Sequence, residues 1–276
     1  MNITLRYFSG TGNSFKIINA CRDFFVEAGH SVTISDIVSD GSIPDGADLI
    51  GFCFPVYAFG IPRLCRRYLK GLKRFSTKRE AFVIITAGDA DESGFSVREC
   101  EKLLSDINVE VVLTAVVQMP INWIISMNPP SSQEALEIID KGVSQVKDLM
   151  QKILSGTKEY HEFNIPPRYG RFGLYREYLL FRYLGINNLW RSYKVYDDCS
   201  GCGLCSLVCP TGSITMADGK PVWSKTCEQC MRCVNYCPDE AIYQSFGGDT
   251  RGRNRYLEPS FRKEIKLIAS ASARKQ

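Results

Sequence analysis

The sequence predicts an α/β chain: a doubly wound parallel sheet followed by a smaller, cysteine-rich α+β module. Through residues 1–155, apolar strand-like runs, glycine-bearing loops and helical periodicities alternate, as in βαβ units. Beyond them, eight of the 12 cysteines fall between Cys199 and Cys237, and CSGCGLCSLVCP returns as CEQCMRCVNYCP. A chain of 276 residues that is 45% hydrophobic can bury a sizeable core, and its length suits one mid-sized domain plus a compact appendix. The expected division is 1–155 for the sheet domain, 156–190 for an ordered aromatic and basic linker, 191–247 for the cysteine module and 248–276 for a basic C-terminal tail. A formal charge of +4 on dispersed basic residues gives no reason to expect nucleic acid. No apolar run reaches the length of a transmembrane segment.

NITLRYF reads as the first strand, and FKIINACRDFFVEAG as the helix after it, with Phe15, Ile18, Cys21, Phe25 and Ala28 on one face and Gly29 as its stop. Between them lies SGTGNS, Ser9, Gly10, Thr11, Gly12, Asn13 and Ser14. A loop of this kind between strand and helix offers backbone amides and hydroxyls to a phosphate, which the helix N-terminus favours. It contains neither GxGxxG nor GK[ST], so the dinucleotide and nucleoside-triphosphate fingerprints are both missing. A plain glycine turn is the bland alternative. ADLIGFCFPVYAFGIP gives a strand over 48–54, a Pro- and Gly-punctuated loop, and a basic amphipathic helix from near Pro62. EAFVIITAGDADESG supplies another strand and a loop at the same sheet edge, where ligands of doubly wound sheets bind. NVEVVLTAVVQMP extends the sheet, and residues 131–155 resume helical periodicity through Ala135, Ile138, Ile139, Val143, Val146 and Leu149. The linker YGRFGLYREYLLFRYLGINNLW presents Tyr175, Tyr178, Leu179, Arg182 and Tyr183 for packing on a neighbouring domain, with a membrane-surface helix as the competing reading.

Each cysteine run has the spacing C-x2-C-x2-C-x3-C-P. Three closely spaced thiolates cover one side of a four-iron cluster, and the fourth ligand must come from elsewhere. Pro210 and Pro238 end the local helical turn and lead the chain away. Ile214 and Ile242 hold the same offset in the two halves and are expected as apolar cover, whereas Lys220 and Trp223 in the intervening hairpin are expected to be structural. Structural zinc is the alternative occupant, but it needs neither such tight intervals nor a duplicated run.

On these residues the segment 190–247 resembles a bacterial two-cluster ferredoxin. The resemblance implies that Cys199, Cys202, Cys205 and Cys237 hold one 4Fe-4S cluster, and that Cys227, Cys230, Cys233 and Cys209 hold the other. SGTGNS looks like the flavodoxin phosphate loop, with the hydroxyls at Ser9, Thr11 and Ser14 matching positions around the terminal phosphate of FMN. By the same resemblance the first domain is flavodoxin-like. Pro55, Val56, Tyr57, Ala58, Phe59 and Gly60 flank one side of the isoalloxazine ring, and Thr86, Ala87, Gly88 and Asp89 the other. Tyr57 and Phe59 are equally readable as packed loop aromatics, and Gly60 is the residue expected to let a peptide reorient. Asn122 and Trp123 complete the pocket or meet the cysteine module. In its whole order the chain resembles the EFR1 family ferrodoxins, fusions of anaerobes that join an FMN domain to two 4Fe-4S clusters.

The resemblance implies an electron-transfer protein relaying electrons between the clusters and FMN, with redox proteins as donor or acceptor. A flavin-dependent reductase of a small acceptor, and an iron-sulfur interaction protein without flavin, are the other classes; whether the chain is an enzyme stays open. The scattered Cys21, Cys53, Cys65 and Cys100 are expected as buried thiols, and the N-terminus shows no apolar leader, so a reducing cytoplasmic setting is expected. His30 and His161 make no site, and Asp89, Asp91 and Glu92 read as a solvated loop rather than a metal site.

Overall fold

The computed structural model describes residues 1–89, 91, 93–163, 165 and 170–265. Glu92 and the part of the C-terminal tail from 266 to 276 lie outside the described residues. The chain falls into two compact units. One comprises Met1–Ser9, Asn13–Met119 and Leu136–Tyr178, and the other Gly10–Gly12, Pro120–Ala135 and the chain from Leu179.

In the first unit, β1 (Asn2–Tyr7), α1 (Asn13–Glu27), β2 (Ser31–Asp36), β3 (Leu49–Pro55), α2 (Arg63–Gly71), β4 (Arg79–Ala87), α3 (Ser96–Ser105) and β5 (Val109–Gln118) alternate. The strands form one sheet in the order β2-β1-β3-β4-β5, every neighbouring pair parallel. That order is the flavodoxin-like form of the doubly wound sheet, with its switch point between β1 and β3. Central β3, LIGFCFP, is buried along its whole length, as a strand covered on both faces must be. Phe25, Phe52, Phe54 and Phe82 are fully buried around it. Edge strand β2 keeps a half-exposed alternation instead. The longest helix, α4 (Ser132–Leu154), sends most of its length into this unit, where Gln145 donates to the carbonyl of Val116 on β5.

Cys21, Cys53, Cys65 and Cys100 are all fully buried, and burial pushes the thiols of Cys21, Cys53 and Cys100 well above their ordinary range. His161 is half-buried near Ser93; burial holds its pKa down, and its amide donates to Thr114 Oγ1. Tyr178, at the end of the unit on α5 (Arg171–Leu180), packs 4.8 Å from Phe95, and its hydroxyl bonds Glu99 and Arg66. No helix among the described residues is long and apolar enough to cross a membrane.

The second unit is built on short elements. β6 (Tyr193–Val195) pairs antiparallel with β9 (Ile242–Gln244), and β7 (Ile214–Ala217) with β8 (Lys220–Trp223); α6 (Ile186–Asn188) precedes them, and α7 (Leu204–Leu207) and α8 (Arg232–Tyr236) lie between. The second cysteine run repeats the first at an interval of 28 residues, Cys199 to Cys227. Its backbone repeats as well: left-handed residues recur at Gly201 and Gln229, Gly203 and Met231, Gly212 and Glu240. The first run meets that demand with glycine. The second carries side chains at the same φ, a strain of order 1–3 kcal/mol per residue that persists where the surroundings over-determine the fold. Residues 248–265, within the span read as a basic tail, are folded into this unit: Arg253 donates to the carbonyls of Ile124 and Ile125, and Tyr256, Leu257, Phe261 and Ile265 are buried.

Candidate redox site

The eight cysteines of the two runs segregate by proximity rather than by sequence. Cys209 comes from the first run, yet it lines one cavity with Cys227, Cys230 and Cys233 of the second, beside Tyr193, Ile214, Trp223 and Met231. Burial pushes Cys227 up to about 12 and Cys230 up to about 11, and the Cys209 sulfur adds to the upward push on Cys227, Cys230 and Cys233. Burial likewise raises Cys205 to about 12, assisted by Cys237, Cys202 and Cys199. The turn after Cys237 is tied to the start of the first run, because Asp239 Oδ2 accepts from the amide and hydroxyl of Ser200 at 2.9 and 2.6 Å. Lys220 closes the same end by donating to the carbonyls of Asp197 and Cys199.

The donors around the second group suit sulfur ligation. Cys209 Sγ accepts from the Ser213 amide at 3.3 Å, and Gln229 Nε2 lies 3.5 Å from Cys227 Sγ. Trp223, stacked on Tyr193 at 4.9 Å, carries a buried Nε1 with no hydrogen-bond partner among the described residues. Its influence on Cys233 places the indole donor beside the cysteines, where a cluster sulfide would accept it. Ile214 and Ile242 are both buried in the apolar cluster that contains Cys227 and Cys233, as expected of cover over a cluster. Among the described residues, no three His, Cys, Asp or Glu side chains converge on one ion-sized point.

The sequence-predicted flavin residues distribute between the units. In the first unit, the loop after β3 closes as a tight turn, with Tyr57 and Gly60 exchanging backbone hydrogen bonds of 2.8 and 3.3 Å. Its left-handed residues are Ala58 (φ 47°) and Phe59 (φ 66°), not Gly60. Both central residues of the turn therefore have positive φ, the type I′ arrangement, without the usual Asn-Gly. The Phe59 carbonyl accepts from the Phe95 amide at 2.6 Å, which fixes this loop to the start of α3. Val56 donates to the carbonyl of Thr86, and Thr86 Oγ1 lies 2.8 Å from Ser14 Oγ. Pro55 and Ala87 end their strands, Gln118 donates to the Gly88 carbonyl, and Asp89 accepts from the Asp91 amide.

In the second unit, Thr11 Oγ1 accepts from Asn122 Nδ2 at 2.7 Å, and the Thr11 carbonyl accepts from the Glu258 amide at 2.9 Å. Gly12 sits at φ +110°, where a Cβ would lie 2.4 Å from Glu258 Cβ and 2.8 Å from Phe261 Cβ. The Glu258 carboxylate turns to its own helical start, accepting from the Phe261 amide at 2.7 Å and the Ser260 hydroxyl. Trp123 packs against the apolar cluster of the cysteine module. This role for Glu258 and Phe261 was not read from the sequence, where they sit inside an apparently basic tail.

Residues 194–246 match the family model described as a 4Fe-4S dicluster domain. A search of curated proteins finds no match to the chain. Among solved structures, the chain is similar to oxidised flavodoxin 1 from Bacillus cereus (17% identity, 53% of this chain and 98% of that chain, TM-score 0.38). It is also similar to two-electron reduced flavodoxin from Megasphaera elsdenii (18% identity, 52% and 98%, TM-score 0.37). The apo form of an NADH:FMN oxidoreductase matches at 16% identity over 56% and 89%, with a TM-score of 0.42. Strand order and family match together give a flavodoxin-like α/β unit and a 4Fe-4S ferredoxin-type domain in one chain, an architecture that suggests an electron-transfer role.

Proposed function

We propose that this chain relays electrons between two 4Fe-4S clusters and FMN. Cys199, Cys202, Cys205 and Cys237 hold the first cluster; Cys227, Cys230, Cys233 and Cys209 hold the second. The observation that carries the reading is the exchange of partners between the runs, with Cys209 lining the cavity of the second run. FMN is held by its phosphate at the loop from Ser9 to Ser14. Support comes from the donor set: hydroxyls at 9, 11 and 14, the amides at the start of α1, and no acidic residue in its first turn to compete with an anion. Tyr57, Phe59 and the Thr86–Asp89 segment are the ring-side candidates, and the strained type I′ turn at Ala58 and Phe59 is the kind of backbone that concentrates at ligand sites.

When bound, FMN supplies a carrier of one or two electrons to complement clusters that pass one at a time. The chain's own residues bind, shield and orient. Tyr193, Trp223, Ile214 and Ile242 exclude water from the cysteines, and Ser213 and Gln229 direct donors to sulfur. Redox proteins are the proposed donor and acceptor, in a cytoplasmic setting, and the resemblance to the EFR1 family ferrodoxins belongs with this reading.

Two variants test it. Cys209→Ala is expected to remove the signal of the cluster bound by the second run while leaving the other; selective loss of the first-run cluster would overturn the crossed ligation. Thr11→Glu, which adds bulk and a negative charge at the phosphate loop, is expected to weaken FMN binding in anaerobic titration, and an unchanged affinity would reject the placement.

A further inference from the structure

The two cysteine runs differ at one position in a way the repeat does not require. At the 28-residue interval, Arg232 of the second run corresponds to Leu204 of the first. Arg232 is buried at 5% exposure, and it lines the cavity formed with Cys209, Cys227, Cys230 and Cys233. Its Nη1 donates at 2.9 Å to the carbonyl of Val208, the residue before Cys209. Its Nε donates at 2.9 Å to the carbonyl of Gly10 in the SGTGNS loop, and its guanidinium carbon lies 5.2 Å from the Phe261 ring centre. The cation therefore cannot swing away without breaking two bonds to backbone in opposite directions along the sequence.

We infer that Arg232 raises the reduction potential of the cluster held by Cys209, Cys227, Cys230 and Cys233. The inference rests on the ligation proposed above. Reduction adds a negative charge to a cluster, and a fixed cation in a low-dielectric surrounding stabilises the reduced state more than the oxidised one. Leucine at the equivalent place carries no charge; Glu228, which is buried and lines the same cavity as Arg232, is the carboxylate the guanidinium acts against. Through Gly10, the residue that raises this potential also grips the phosphate loop.

The test is a redox titration of the full chain followed by electron paramagnetic resonance, with Arg232→Gln, Arg232→Lys and Leu204→Arg. In Arg232→Gln the midpoint of the second-run cluster is expected to fall while the other stays in place; Arg232→Lys, which keeps the charge, should shift it less. Unmoved midpoints, equal movement of both clusters, or an equal fall in the Lys and Gln variants would overturn the inference. If Arg232→Gln fails to load both clusters, Leu204→Arg decides: a raised first-run midpoint supports the inference and an unchanged one overturns it. Wild-type protein without two cluster signals would count against the proposed function itself, whereas two signals with unresponsive midpoints count only against Arg232.

Discussion

Gly12→Ala is the substitution whose cost is most readily worked from the geometry. At φ +110° an L side chain is strained by about 1–3 kcal/mol. The added Cβ would also lie 2.4 Å from Glu258 Cβ and 2.8 Å from Phe261 Cβ. Neither is the far end of a flexible chain, so the backbone of 258–261 must move, an overpacking cost of about 1–3 kcal/mol. Together these give about 2–6 kcal/mol, a large part of the roughly 5–15 kcal/mol that holds a typical domain. The bond most exposed to the change is that from the Glu258 amide to the Thr11 carbonyl. Hydrogen exchange under anaerobic conditions should show its protection fall by at least about thirtyfold, the equivalent of about 2 kcal/mol, together with a lower urea midpoint. Unchanged Glu258 protection and a stability within about 0.5 kcal/mol of wild type would refute the packing argument.

Trp223→Ala removes a buried indole stacked on Tyr193 and should cost about 3–5 kcal/mol, read as a lower urea midpoint of the cluster-loaded protein. Ser131→Ala breaks a capping box, in which Glu134 accepts from the Ser131 amide and hydroxyl at 2.8 Å, and should cost about 1 kcal/mol in denaturant unfolding. Glu110 is held down to about 2 by Lys158 and Lys78, below its ordinary carboxylate value of 4.5. Its contribution is thus present above pH 4.5 and lost as the pH falls toward 2, so Glu110→Gln should remove at neutral pH the modest contribution that the wild type loses on acidification, and flatten the acid limb of a stability-pH profile in that window.

The sheet was legible wherever burial was two-sided. β3 and β4 are continuous apolar runs, and β1, β5, α1 and α4 carry their periods plainly. Edge strand β2 and helix α3 were not read. SVTISD carries only two large apolar residues, and SVRECEKLLS spreads charge through its turns while burying Val97, Cys100 and Leu104. Gly60 was expected to carry the unusual backbone of its loop, because glycine is the residue that tolerates it; tertiary bonds hold Ala58 and Phe59 there instead. In the cysteine module the repeat made Gln229, Met231 and Glu240 inferable as left-handed only by analogy with Gly201, Gly203 and Gly212, since composition alone opposes it. The packing of 253–261 was hidden by its arginines, whose charge reads as solvent-facing while their guanidinium groups serve buried carbonyls.

The central claim is tested most directly by the anaerobic stoichiometry of iron, acid-labile sulfide and FMN in the purified full chain. The account predicts about eight irons and about eight sulfides with one FMN per chain. Eight irons without FMN, even after reconstitution with the free cofactor, would contradict the relay and leave the flavodoxin-like unit without its proposed ligand.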